Sequence, residues 1–155
     1  MPGQSKSEID PFNLQRFIDA QQSSYEQARA ELAAGAKRSH WMWFIFPQIH
    51  GLGSSAMAQR YAISGLPEAV AYLEHPCLGP RLRECTALVN AGQSRTLEQI
   101  LGYPDDLKFH SSVTLFERAA GSCPSARPED SVFQQALDRY FASQPDQATI
   151  LRLDR

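Results

Sequence analysis

The chain has 155 residues, 43% hydrophobic and 21% charged, a length that suits one domain with a buried core. Its 15 basic and 17 acidic side chains give a net charge of −2, so charge alone does not hold nucleic acid or an anionic membrane. The longest apolar run, Trp41 to Phe46, stops at Pro47, well short of the ~20 residues a membrane helix needs, and no membrane partner is expected.

Polar residues 1–9 predict a disordered N-terminal tail, and residues 10–155 a single helical domain. Asp10-Pro11 reads as an N-cap and first helical residue, opening an amphipathic helix to about Gln22 with Leu14, Phe17, Ile18 and Gln21 at helical spacing. Ser23 or Ser24 caps a second helix carrying Tyr25, Ala28 and Leu32, with Gly35 as its stop. The aromatic run Trp41–Phe46 is too short for periodicity to choose between helix and strand. No second strand is visible to pair with it, so a short buried helix capped by Ser39 and ended before Pro47 is expected.

Gly51-Leu52-Gly53-Ser54-Ser55 predicts a tight turn feeding a helix from about Ala56 to Ile63, and Pro67 opens another to His75. Leu82, Cys85, Leu88 and Val89 mark a helix ending near Gly92, and Leu97–Leu101 a helical turn. Pro104-Asp105-Asp106 starts a longer helix, its acidic groups in the first turn where the helix dipole favours them. The core face of that helix is Phe109, Val113, Phe116 and Ala120. Gly121 to Pro128 is the most loop-like stretch, followed by helices over Val132–Ala142 and about Gln147–Leu153. The expected fold is mainly α: a compact single-domain helical bundle of about seven to nine short helices.

Three cysteines, Cys77, Cys85 and Cys123, form no C-x-x-C pair, which fits a reducing, cytoplasmic setting, and Cys85 falls on a core face. The N-terminus lacks the apolar stretch of a signal peptide. Four histidines without metal-ligand spacing imply no metal site, and no cofactor is implied either.

The candidate chemistry lies in two clusters. In the first, Trp41 and Trp43 lie two apart and so face different sides of a short helix, leaving at least one ring for a cleft wall or a partner. His40 beside them is an acid–base candidate, or a support for the helix start. Gly51 and Gly53 allow close backbone approach, and Ser54 or Ser55 either caps the next helix or, with Arg60 and with Lys37 and Arg38 nearby in sequence, seats a phosphate or carboxylate. In the second cluster Asp105, Asp106 and Lys108 form either a solvated helix start or a site in which a carboxylate orients a hydroxyl or activates water. Ser111, Ser112 and Thr114 are unusual in mid-helix; they suit a ligand contact or the close approach of another segment.

Arg38-Ser39-His40-Trp41-Met42-Trp43-Phe44-Ile45-Phe46-Pro47-Gln48, Gly51-Leu52-Gly53 and Met57-Ala58-Gln59-Arg60-Tyr61-Ala62-Ile63 resemble the hallmark stretch of an uncharacterised bacterial family, domain of unknown function 1810. His75-Pro76, Leu78-Gly79-Pro80-Arg81-Leu82, Asp105-Asp106-Leu107-Lys108 and Thr114-Leu115-Phe116 fit the same pattern. The calpastatin label that family sometimes carries implies a disordered, repeat-built inhibitor, a character absent here. Ser54-Ser55-Ala56-Met57-Ala58 with Arg60 is more distantly similar to the YbiA-like (NADAR) helical domains of NAD and ADP-ribose metabolism. That likeness implies N-glycosidase chemistry, although no position matches the catalytic glutamate of those domains.

The functional expectation is binding or hydrolysis of a small phosphorylated or nucleotide-like, ADP-ribose-like compound. Asp105, Asp106 and His40 are its acid–base candidates; Trp41, Trp43, Gln48, Gly51, Gly53, Ser55, Arg60 and Lys108 are its binding residues. The alternative is a non-enzymatic interaction module using Trp41–Phe46. A monomer or homodimer fits either.

Overall fold

The computed structural model describes residues 9–92, 94–123 and 127–154. The expected disordered tail therefore falls outside the described residues save for Ile9, which is exposed, and residues 124–126 of the expected loop also lie outside them. Among the described residues the chain forms ten α-helices: α1 Gln15–Gln22, α2 Tyr25–Ala33, α3 Met42–Ile45, α4 Ala56–Arg60, α5 Leu66–Glu74, α6 Leu78–Asn90, α7 Leu97–Leu101, α8 Asp105–Ser122, α9 Ser131–Tyr140 and α10 Gln147–Leu153. A 3₁₀ turn, Pro128–Asp130, precedes α9. No strand forms among these residues. Ile49 and Ile63 make only an isolated parallel bridge, in which His50 N donates to Ile63 O and Ile63 N to Gln48 O, both at 2.9 Å. No helix among the described residues is long and apolar enough to cross a membrane.

Local chemistry explains where the elements begin. Asp10 is a cap, but α1 starts at Gln15 rather than at Pro11: the carboxylate accepts from Leu14 N at 2.8 Å and Gln15 N at 2.9 Å, across a turn in which Asn13 has φ 52°. Thr96 and Gln99 form a reciprocal capping box at α7. Ser39 does not cap α3. Its hydroxyl donates to Glu31 at 2.7 Å, and the Glu31 carboxylate also accepts from Arg38 N, Ser39 N and Trp41 Nε1 at 2.8, 3.0 and 2.9 Å. One acid on α2 thus holds the whole approach to α3. Burial opposes its ionisation, yet these donors bring Glu31 down to about 2.

The core is organised around α8, where Phe109, Val113, Leu115, Phe116 and Ala119 are buried. Helices α5, α7, α9 and α10 pack against it, and α6 packs against α2, α5 and α9. The aromatic run feeds this core: Trp41, Met42, Phe44, Ile45 and Phe46 are all buried, with Phe46 edge-on to Phe109 at 5.0 Å between ring centroids. Two ion pairs brace the periphery, Arg16–Glu68 at 2.9 Å and Arg83–Asp130 at 2.6 Å.

The mid-helix polar residues of α8 receive a later segment of the chain. Thr114 Oγ1 accepts from Asp146 N at 2.9 Å, and Ser111 Oγ donates to Asp146 Oδ2 at 2.8 Å. The chain reaches them after a sharp reversal in which Ala142 and Ser143 adopt consecutive left-handed conformations, φ 53° and 63°. Ser143 N donating to Leu137 O at 2.9 Å and Ser143 Oγ to Asp138 at 2.7 Å hold that reversal.

Candidate functional site

The turn between α3 and α4 and the first two turns of α8 enclose a cleft of about 520 Å³. Gln48, Leu52, Gly53, Ser54 and Ser55 come from the turn; Pro104, Leu107, Lys108, His110 and Ser111 come from α8 and its approach. Ala58 of α4, with Asp146 and Ala148 at the start of α10, completes the lining.

The two glycines of the turn do different work. Gly51 has φ +90°, and a Cβ there would lie 2.5 Å from the Arg152 guanidinium, whose Nη2 donates to Gly51 O at 3.3 Å. Its open face is therefore filled by the protein's own arginine, and Gly51 does not line the cleft. Gly53 does, but a Cβ there would meet Ala58 Cβ at 2.7 Å, so its smallness lets the turn lie against α4. Ser55 Oγ caps α4 by accepting from Ala58 N at 3.1 Å, which leaves its hydroxyl proton able to donate.

Lys108 supplies the cleft's charge. Asp105 pairs with two ammonium groups, Lys37 Nζ at 2.8 Å from Oδ2 and Lys108 Nζ at 3.6 Å from Oδ1. The Lys37 side chain is 9% exposed and that of Lys108 is 27% exposed, so the closer pair is shielded and the looser one opens to the cleft. Asp105 is therefore held mainly by Lys37, which leaves the Lys108 ammonium the less committed of the two, while the Asp146 carboxylate lies elsewhere in the same lining. Lys108 Nζ also lies 5.3 Å from the centre of the Trp43 ring.

On the other flank, His110 stacks on Phe141 with ring centroids 3.8 Å apart and 5° between planes. Its Nε2 lies 2.8 Å from Gln144 O. A carbonyl only accepts, so Nε2 carries the proton, and Nδ1 is the ring nitrogen without a protein partner among the described residues. Asp146 uses Oδ2 for Ser111, for Thr149 Oγ1 at 2.6 Å and for Thr149 N at 3.3 Å. Its Oδ1 has no protein partner among the described residues.

Of the residues expected from sequence, Gln48, Gly53, Ser55 and Lys108 come together here. Trp43 stands behind Lys108. The others do not join them. Arg60, expected as an anion seat, borders a separate hollow beside Asn13, Arg16 and Asp19, because α4 is a single turn and points it away. Trp41, expected as a wall, is 1% exposed, its indole N–H tied to Glu31. Asp105 is spent on the two lysines, and Asp106 accepts from its neighbour Leu107 N at 2.9 Å outside the lining. His40 is exposed and outside the cleft. The interaction-module alternative loses its surface, since most of Trp41–Phe46 is core. His110 and Asp146 were not anticipated as site residues, Ser54 was read only with Ser55 as a cap or an anion donor, and Ser111 as a ligand contact or a point of close approach. The only local signal was the run of small polar residues in α8, and Asp146 looks like an ordinary helix cap until the fold places it. Burial pushes the Cys85 thiol up to about 12, so it offers no nucleophile. No group of three or more metal-ligating side chains occurs among the described residues.

Residues 11–153 match the family described as protein of unknown function (DUF1810). The chain belongs to the DUF1810 family. The DUF1810 domain is similar to the crystal structure of the conserved hypothetical protein Rv1873 from Mycobacterium tuberculosis, with 51% identity and a TM-score of 0.88. That match covers 94% of this chain and 99% of the other. No curated protein matches this DUF1810 domain.

Proposed function

We propose that the cleft between the Gly51–Ser55 turn and α8 binds a small phosphorylated or nucleotide-like anion. The observation that carries this reading is Lys108, whose side chain lines the cleft and is only loosely paired, at 3.6 Å, with an Asp105 that Lys37 already holds at 2.8 Å. Ser54 and Ser55 add hydroxyl donors beside it, and Leu52, Pro104 and Leu107 add apolar surface for the body of the ligand. If the ligand is hydrolysed at a glycosidic bond, Asp146 is the carboxylate in place, rather than Asp105 or Asp106. The three free thiols favour a reducing compartment such as the cytoplasm.

Titration calorimetry with inorganic phosphate, pyrophosphate, ADP and ADP-ribose tests the reading. Wild type and Arg60→Ala bind alike, and Lys108→Ala binds at least about tenfold more weakly, as the loss of a charge-assisted contact requires. No binding by wild type, or equal binding by Lys108→Ala, overturns it.

A further inference from the structure

We infer that the cleft is built for a sugar phosphate: an anionic group at Lys108 joined to a vicinal diol read by His110 Nδ1 and Asp146 Oδ1. This rests on the anion reading above and adds what the far end of the ligand must be. Within the lining of α8, Leu107 and Ser111 share the central strip of one helical face, with Lys108 on one flank and His110 on the other. The cationic end and the imidazole–carboxylate end therefore stand at opposite sides of the same cleft.

The far end has a definite polarity. Tying Nε2–H to Gln144 O and stacking the ring on Phe141 fixes the His110 plane, leaving Nδ1 to the ligand. Among the described residues every donor to Asp146 lands on Oδ2, which leaves Oδ1 as an acceptor open to the ligand. Adjacent residues of α8, His110 and Ser111, contact Gln144 and Asp146, so the two acceptors belong to one small locus. Two fixed acceptors call for two donors on the ligand. A second phosphate there would be repelled by the carboxylate, and an apolar group would leave both acceptors unpaired. Neighbouring hydroxyls on a short, compact carbon frame satisfy both, and a cleft of about 520 Å³ has room for such a molecule.

The test compares ribose 5-phosphate, 2-deoxyribose 5-phosphate and inorganic phosphate by calorimetry on wild type and Asp146→Asn. Asparagine keeps the α10 cap through its carbonyl oxygen and puts an uncharged NH₂ where Oδ1 stood, so a hydroxyl there loses its charge-assisted bond to a carboxylate while the structural bond remains. Wild type is expected to prefer ribose 5-phosphate over its 2-deoxy analogue by about tenfold or more, the worth of a hydrogen bond to a charged group. In Asp146→Asn the preference falls below about threefold, while inorganic phosphate binds at least as well as before. Wild type that binds both sugars equally, or Asp146→Asn that keeps the preference, overturns the diol assignment and leaves the anion reading standing. Wild type that binds none of the three overturns both.

Discussion

Glu31 offers a sharp test of how the approach to the cleft is held. Its carboxylate accepts five hydrogen bonds: three on Oε1, from Arg38 N, Ser39 N and Trp41 Nε1, and two on Oε2, from Ser39 Oγ and Gln27 Nε2. Glu31→Gln keeps the shape but removes the charge and turns one acceptor into a donor facing Ser39 and Gln27. Hydrogen bonds to a charged group contribute about 1.5–3 kcal/mol, so the variant should be less stable by about 2–3 kcal/mol at pH 7. The pH dependence is the distinguishing part. The Glu31 carboxyl sits near 2 in the folded chain against an ordinary 4.5, so its contribution is complete above 4.5 and is lost as pH falls toward 2. Urea denaturation followed by far-ultraviolet circular dichroism, run on both proteins between pH 7 and pH 3, reads the difference directly. The stability gap should be constant from pH 7 to pH 5 and narrow below that. A gap of the same size at pH 3 and pH 7 would refute the account of a charge held by its donors.

Gly51→Ala places a side chain at φ +90° and against the Arg152 guanidinium, and should cost about 1–3 kcal/mol in thermal denaturation. Adding Arg152→Ala removes the clash but not the backbone strain, so the double variant recovers part of the loss; additive losses would contradict the contact. Asp130→Ala strips the partner from Arg83, whose side chain is 10% exposed, and should destabilise the fold by about 3 kcal/mol. A change under about 0.5 kcal/mol in the melting profile would show that water reaches that guanidinium. Asp105→Asn leaves Lys37 largely enclosed without its counter-charge, so stability falls while phosphate affinity, followed by calorimetry, holds or rises. A loss of affinity in a folded variant would restore Asp105 as a ligand contact.

Much of the architecture was legible because helix-forming chemistry is local. Gly35, Pro67 and the Pro104-Asp105-Asp106 start punctuate the chain where helices stop or begin, and Leu97–Leu101 and Gln147–Leu153 appear with the expected bounds. Boundaries slipped where a polar side chain was engaged elsewhere, as with Ser39 on Glu31, or where a cap acted across a turn, as with Asp10. The site was legible only in part. The glycine–serine turn and Lys108 carry their chemistry in their own neighbourhoods, and they do meet. Arg60 and Trp41 were misplaced because one helical turn decides which way a side chain faces, and no periodicity can be read from so few residues. Asp146 was invisible for a different reason. Its meaning depends on Ser111 and Thr114, 35 and 32 positions earlier, and nothing local distinguishes it from any other cap.

The last helix carries more than its size suggests. It delivers Asp146 at one end and Arg152 at the other, yet Thr149 is its one buried residue and Leu151 is 63% exposed. A segment so lightly anchored frays long before the molecule melts, and each excursion withdraws both groups at once. Occupancy and local order are consequently linked. A guest seated beside Asp146 should slow amide exchange along Gln147–Leu153 far more than in α8, where the protons are already shut in.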